Sequence, residues 1–334
     1  MAPDDPEYYI NGVLNKDKRI IAKTITLIES ALPLHQEIAR KVVNELLPQA
    51  GGAIRLGISG VPGAGKSTFI ESLGTMLVNQ GHHVAVLAVD PSSQRSGGSV
   101  LADKTRMEKL STSKNAFIRP SPSGGTLGGV ARKTRETMLI CESAGYDVMV
   151  VETVGVGQSE TTVASMVDFF LLLLIAGAGD EIQGIKKGVL EVADAIAINK
   201  ADGDNIQRAE FTRKQYETAL HYLVPSSPVW TTKVLMCSSL NPENEGIQDI
   251  WQTVLDHRKR LKQSGLFEKK RRQQALDWMW ALVEEGLKYR FQKNRSVMER
   301  LPGIVKAVDE GEMAPTVAAE ELLFSLDNGR RVSP

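Results

Sequence analysis

The chain has only two cysteines, Cys141 and Cys237, in 334 residues. They form neither a metal-ligand spacing nor a disulfide framework, which excludes zinc-stapled and disulfide-stapled folds. Both are expected as reduced thiols packed in or near a core. Net charge is missing as well. The 40 basic residues balance 40 acidic ones, so no overall field draws in nucleic acid or an anionic membrane. Long hydrophobic runs are absent too. The longest, Phe169 to Ala176, falls far short of the ~20 residues a membrane-spanning helix needs, and it fits a buried parallel strand. Met1 to Tyr9 is acidic, with Pro3 and Pro6, and lacks the basic and apolar parts of a secretory signal. The expectation is a cytoplasmic protein that engages neither nucleic acid nor membrane. There is no internal repeat and no low-complexity tract.

What is present is enough chain for one large α/β domain with appendages. Ile20, Ile21, Ile25, Ile28 and Leu32, then Ile38, Val42, Val43 and Leu46, recur at helical spacing. Residues 1–50 therefore read as a helical extension closed by Gly51-Gly52. Over 51–265, short apolar runs alternate with helical stretches: His83 to Val89, Asp147 to Val151, Phe169 to Ile175 and Ala193 to Ile198. That alternation predicts a mostly parallel sheet covered on both faces. Residues 266–334 read as a charged helical arm. Its Lys269-Lys270-Arg271-Arg272 cluster is expected to be a solvated helix face, and Trp278, Met279 and Trp280 to pack on a helix or a second subunit.

Gly60-Val61-Pro62-Gly63-Ala64-Gly65-Lys66-Ser67 is a complete G-x-x-x-x-G-K-[ST] phosphate loop. Its glycines let successive N–H groups turn inward around phosphates. Lys66 would reach the β- and γ-phosphates, and the Ser67 hydroxyl would ligate Mg²⁺. The strand Arg55 to Ser59 before it and the helix from Ser67 to Leu73 after it supply the right context, with the helix dipole aimed at the anion. Gly60, Gly63, Ala64, Gly65, Lys66, Ser67 and Thr68 are the candidate phosphate-binding residues.

The strand Ile196 to Ile198 runs into Asn199-Lys200-Ala201-Asp202, the N-K-x-D pattern that reads guanine. An Asp202 carboxylate can accept from both N1–H and the 2-amino group of guanine. Adenine offers neither donor and leaves the carboxylate unpaired. Lys200 would lie over the base, and Asn199 would tie this loop to the phosphate loop. Val234 to Leu240 reads as a strand ending in a small turn, where Ser238, Ser239 and Leu240 complete the base side; the serine N–H groups are candidates for guanine O6.

Three carboxylates stand where parallel strands or their loops end: Asp90, Asp103 and Glu152. Mg²⁺ takes few protein ligands and keeps several waters, so Ser67, Asp90, Asp103 and Glu152 are the candidate metal set. Gly155 is a candidate donor to the γ-phosphate, and Gln158 is a candidate for positioning water. The candidate catalytic residues are thus Lys66, Asp90, Asp103, Glu152 and Gln158. Gly97-Gly98, Gly124-Gly125, Gly128-Gly129 and the stretch Gly177 to Gly188 are read as loops that order with the γ-phosphate. His82 and His83 look like turn residues.

These motifs, together with Val89-Asp90-Pro91-Ser92-Ser93, Gly97 to Met107, Phe117-Ile118-Arg119-Pro120, Val151 to Glu160 and Gln183 to Gly188, closely resemble the MeaB/ArgK family. The family comprises G-protein chaperones of adenosylcobalamin-dependent acyl-CoA mutases. The resemblance covers residues 20–265 closely and the arm loosely. It implies an α/β P-loop NTPase fold of the SIMIBI class with N-terminal helices and a C-terminal dimerisation arm. It implies slow GTP hydrolysis stimulated by the mutase, with nucleotide state gating adenosylcobalamin delivery and protecting the mutase. The implied cofactors are GTP or GDP with Mg²⁺; adenosylcobalamin belongs to the partner. Implied partners are the mutase, a second copy of the chain and the adenosyltransferase. Carried onto this chain, Asp90, Asp103 and Glu152 become the Mg²⁺ and active-site carboxylates, and Gly177 to Gly188 a third switch.

Two other classes compete: a P-loop phosphotransferase, which would need a base near the γ-phosphate, and a nucleotide-dependent scaffold that scarcely turns over. The base reading generates a direct prediction. Asp202→Asn should lower the preference for GTP over ATP by about 10- to 100-fold, the scale of one lost charge-assisted pair, with the fold intact. Competition binding of the two nucleotides measures it, and an unchanged preference would sink the assignment.

Overall fold

The computed structural model describes residues 4–89, 107–119, 127–153, 159–176, 187–222, 227–240 and 245–326. The chain divides into two compact units, Met1–Gln274 and Ala275–Pro334.

The first unit is built on seven strands: β1 Ile54–Gly60, β2 Val84–Val89, β3 Ala116–Arg119, β4 Val148–Thr153, β5 Phe169–Ile175, β6 Ala195–Asn199 and β7 Lys233–Met236. They form one parallel sheet in the order β3-β2-β4-β1-β5-β6-β7. Side chains alternate between faces with period two. In β5, Phe169, Leu171 and Leu173 join one core, while Phe170, Leu172 and Leu174 join the other. In β4, Val148 and Val150 face one way and Met149 and Val151 the other. Both faces are therefore apolar, and both are covered, which is why these strands read as continuous hydrophobic runs.

Three N-terminal helices, α1 Pro6–Leu14, α2 Lys18–Glu29 and α3 Pro33–Leu46, contribute to the core on one face. Asp5 and Asp17 cap α1 and α2 by accepting from backbone N–H groups of their first turns, which satisfies donors the helix leaves unpaired. Tyr9, Val13, Ile21, Ile25, Val42 and Leu46 are fully buried on that side. The opposite core takes residues from α4, Lys66–Asn79, and from the helix Glu245–Gln263.

β1 is flanked by β4 and β5. The chain leaves β1 toward β2 on one side, and later leaves β4 for β5 on the other. The carboxyl end of β1 is thus a switch point of the sheet, the place where open α/β sheets bind ligands.

Several sequence expectations need correction. β3 was not foreseen as a strand. Gly128 and Gly129 sit inside the helix Leu127–Ser143 rather than in a connection. The basic cluster is not simply a solvated face. Arg271 is 15% exposed, and its Nε and Nη2 donate to Asp168 at 2.8 and 2.7 Å. It also donates to the Gly51 and Ala53 carbonyls and lies over the Phe267 ring. Asp168 in turn accepts from Arg55 N at 2.9 Å, and its carbonyl accepts from Lys270 Nζ at 2.8 Å. The carboxylate is 4% exposed, so it draws in the nearest guanidinium instead of leaving it to water. Both cysteines are buried, and burial pushes the Cys237 thiol up to about 12.

In the second unit, the helices Arg295–Asp309 and Pro315–Leu326 pack on each other, burying Val297, Ile304 and Ala318. No helix among the described residues is long and apolar enough to cross a membrane.

Asp168→Ala leaves a buried guanidinium and the Arg55 N–H without their acceptor. The expected cost is about 3–5 kcal/mol, measured by denaturant unfolding. A loss under 1 kcal/mol would mean that Arg271 is effectively solvated.

Candidate functional site

The phosphate loop leaves β1 at Gly60, whose φ is +156°. A Cβ there would stand 2.1 Å from the Leu173 carbonyl oxygen of β5, so only glycine allows the strand this close to its neighbour. The loop ends at Gly65, φ +86°, directly before α4. A Cβ on Gly65 would meet Asn199 Nδ2 at 2.7 Å. That close approach has a purpose. Asn199 Nδ2 donates to the Ala64 carbonyl at 2.8 Å, which joins the end of β6 to the crown of the loop.

Lys66 opens α4. Its ammonium donates to the Gly60 and Val61 carbonyls at 2.7 and 3.2 Å. Burial holds its pKa below the ordinary lysine value, against the pull of the nearby carboxylates of Glu152 and Glu160. Phosphate oxygens would replace these carbonyls as stronger, charged acceptors. Ser67 Oγ donates to Glu152 Oε1 at 3.2 Å. Glu152 lies near the end of β4, paired in register with Ile58 of β1 and Ala88 of β2, and is 9% exposed. A hydroxyl and a buried carboxylate side by side, next to the phosphate loop, are the hard oxygen donors Mg²⁺ prefers. The donor set therefore fits the ion. Thr153 Oγ1 donates to Ser59 Oγ at 2.7 Å, which pins β4 to β1 at this level.

On the base side, Asn199 is nearly fully buried, and its Oδ1 accepts from Ser239 N at 3.1 Å and Ser239 Oγ at 2.8 Å. The Cys237 thiol approaches the same oxygen at 3.6 Å. Ser239 N–H is thus spent on Asn199 rather than kept for guanine O6 as expected. Lys200 takes a positive φ of +59° and is exposed, with its carbonyl accepting from Asn205 Nδ2 at 2.7 Å. Asp202 is exposed at the surface and accepts a hydrogen bond from Ser238 Oγ. Leu240 is 80% exposed. Gly63 has a positive φ as well, and Thr68 follows Ser67 in the first turn of α4.

Lys66, Ser67 and Glu152 thus converge on one side, and Asn199, Asp202, Ser238 and Ser239 on the other, with Asn199 bridging them. Asp90, Asp103, Gly155 and Gln158 lie outside the described residues. Two residues escaped the sequence reading as site members. Ser72 Oγ donates to the Ser239 carbonyl at 2.6 Å, fastening the base loop to α4. Glu160, 5% exposed, acts on Lys66 through its charge. Its only signal was its place in the run that begins at Val151.

The model of the family described as methylmalonyl-CoA mutase-associated GTPase MeaB matches residues 21–296. GTPase ArgK of Escherichia coli is 46% identical, with 92% of this chain and 92% of that protein covered. The mouse mitochondrial methylmalonic aciduria type A homolog is 45% identical, covering 93% of this chain and 77% of that protein. A crystal structure titled LAO/AO transport system kinase superposes with a TM-score of 0.78 at 39% identity, covering 96% of this chain and 97% of that one. The buried bridge from Asn199 to the phosphate loop is thus set in a chain that belongs to the MeaB family, the methylmalonyl-CoA mutase-associated GTPases.

Proposed function

We propose that the chain is a Mg²⁺-dependent GTPase whose nucleotide state gates adenosylcobalamin delivery to, and protection of, an acyl-CoA mutase of the methylmalonyl-CoA type. The single observation that carries the reading is the Asn199 bridge, which makes the guanine-reading segment and the phosphate loop one unit. The names of the relatives support GTP as substrate and the mutase as partner.

Hydrolysis of a phosphoanhydride asks the protein mainly for positioning and charge stabilisation. Lys66, lifted off the Gly60 and Val61 carbonyls, would hold β- and γ-phosphate oxygens. The backbone N–H groups of the loop and the N-terminus of α4 would share the same charge. Ser67 would bind Mg²⁺, with Glu152 reaching it directly or through water; when bound, the ion neutralises developing phosphate charge. Asp90 and Asp103 complete the proposed metal set, Gly155 the γ-phosphate contact and Gln158 the water side. Lys200 and Asp202 would read the base, and Ser238 holds the Asp202 carboxylate for that task.

A homodimer and the adenosyltransferase belong to the same proposal, as does a cytoplasmic location. Support for the second copy comes from the second unit. Leu276, Trp280, Val283 and Leu287 are all exposed on one helix, Leu266–Lys293, at the three- and four-residue spacing of a helix-pairing seam. The phosphotransferase reading draws on one structural title alone.

The test is steady-state GTP hydrolysis by the purified chain, with and without an adenosylcobalamin-dependent mutase from the same source. The account expects a slow basal rate, raised about 10-fold or more by the mutase, and lost by at least about 100-fold in Lys66→Ala. A rate indifferent to the mutase, accompanied by phosphate transfer to a protein or small molecule, would favour the phosphotransferase.

A further inference from the structure

A second site lies away from the nucleotide. Between α1, α2 and the carboxyl end of β3 is a groove of about 640 Å³, inside the ~300–1,000 Å³ range of small-molecule sites. β3 is the edge strand, separated from β1 by β2 and β4, so the groove shares no residue with the phosphate loop. Its lining combines two chemistries. Tyr9, Ala22 and Leu27 supply apolar surface, while Arg19, Lys23 and Arg119 supply cationic groups.

The charge there is lopsided. Glu29 is the one carboxylate of the lining, and it is already engaged by Arg119 Nη2 at 2.6 Å. The same nitrogen reaches Thr26 Oγ1 at 3.3 Å. Lys23 Nζ has only a phenol for company, the Tyr8 hydroxyl at 3.3 Å, and stands 5.7 Å from that ring's centroid. Two polar atoms of the lining are buried without any hydrogen-bond partner: the hydroxyl of Tyr9, a residue with 0% exposure, and Nε of Arg119. Leaving such a group unpaired costs about 1–3 kcal/mol, and folded proteins rarely do so without a reason. Two unpaired donors, in a groove with surplus positive charge and an apolar floor, ask for an acceptor that carries negative charge and an apolar body.

We propose that this groove binds a small organic anion, with its carboxylate or phosphate head held by Tyr9, Arg119 and Lys23 and its apolar body laid along Ala22 and Leu27. The head satisfies the Tyr9 hydroxyl and the spare guanidinium donors of Arg119 through charge-assisted bonds. Glu29 keeps Arg119 in place by its single bond and leaves the rest of the fork free. The site stands whether or not the GTPase reading holds.

The experiment uses the full chain saturated with GDP and Mg²⁺, so that the phosphate loop does not compete. Hexyl phosphate, hexanoate, inorganic phosphate and hexanol are titrated calorimetrically. One of the two amphipathic anions should bind at one site, at least about 10-fold tighter than inorganic phosphate or hexanol. Tyr9→Phe and Lys23→Gln should each weaken that binding about 5- to 10-fold. Tyr9→Phe should leave the melting temperature unchanged, because its hydroxyl has no partner to lose. Preference for hexyl phosphate or for hexanoate tells which head the site takes. No binding up to about 10 mM, equal binding of inorganic phosphate or hexanol, or full affinity in both variants would overturn the proposal.

Discussion

One buried amide organises the nucleotide end of the molecule. Asn199 spends its Nδ2 on the Ala64 carbonyl and its Oδ1 on the backbone and side chain of Ser239. Each such bond is worth about 1 kcal/mol net, but the cost of leaving a buried partner unmade is larger. The three segments it joins, after β1, at the end of β6 and after β7, would otherwise be independent loops. Gly65 is glycine because this amide approaches it so closely. Ser72 adds a second fastening from α4 to Ser239. A change at the phosphate loop is therefore felt at the base-reading loop through two short, buried connections, as a GTPase needs if recognition of the base is to be coupled to the phosphates.

The rest of the sheet serves this junction. Placing β1 between β4 and β5 opens the crevice at its carboxyl end. Register then puts Glu152 beside Ser67 without any loop having to find it, because β4 is paired with β1 along five residues ending at Ile58 and Glu152. At the opposite end of the strands, Asp168 gathers Arg55, Lys270 and Arg271. That cluster ties the start of β1, the start of β5 and the helix Leu266–Lys293 together. The sheet is thus held at both ends by polar contacts, and along its faces by Val, Ile, Leu and Phe.

The parts that were legible in the sequence are those with local causes. The phosphate loop and N-K-x-D are contiguous, and the runs that became β1, β2, β4, β5 and β6 are apolar because both faces of a parallel sheet are buried. The family followed from the same contiguous motifs. What could not be read depends on partners distant in the chain. Ser72 meets Ser239 across 167 positions, and Arg271 meets Asp168 across 103, so neither leaves a pattern along the sequence, and Arg271 was taken for one of four solvated cations. β3 is four residues long and follows polar Ser113, Lys114 and Asn115; too short to show a period, it exists because β2 offers it an edge. Ser239 was expected to face the base by its N–H, but buried Asn199 has the stronger claim on that donor.

The most direct test of this account is Asn199→Ala, followed by amide hydrogen exchange at Gly60 to Ser67 and at Ser238 to Leu240, with GDP affinity measured on the same protein. If the amide couples the two loops, both segments lose protection together, affinity falls by about 100-fold, and the strands of the sheet keep theirs. Loss of protection in one segment alone, with GDP bound as tightly as before, would contradict the claim that base recognition and phosphate binding are held as one unit.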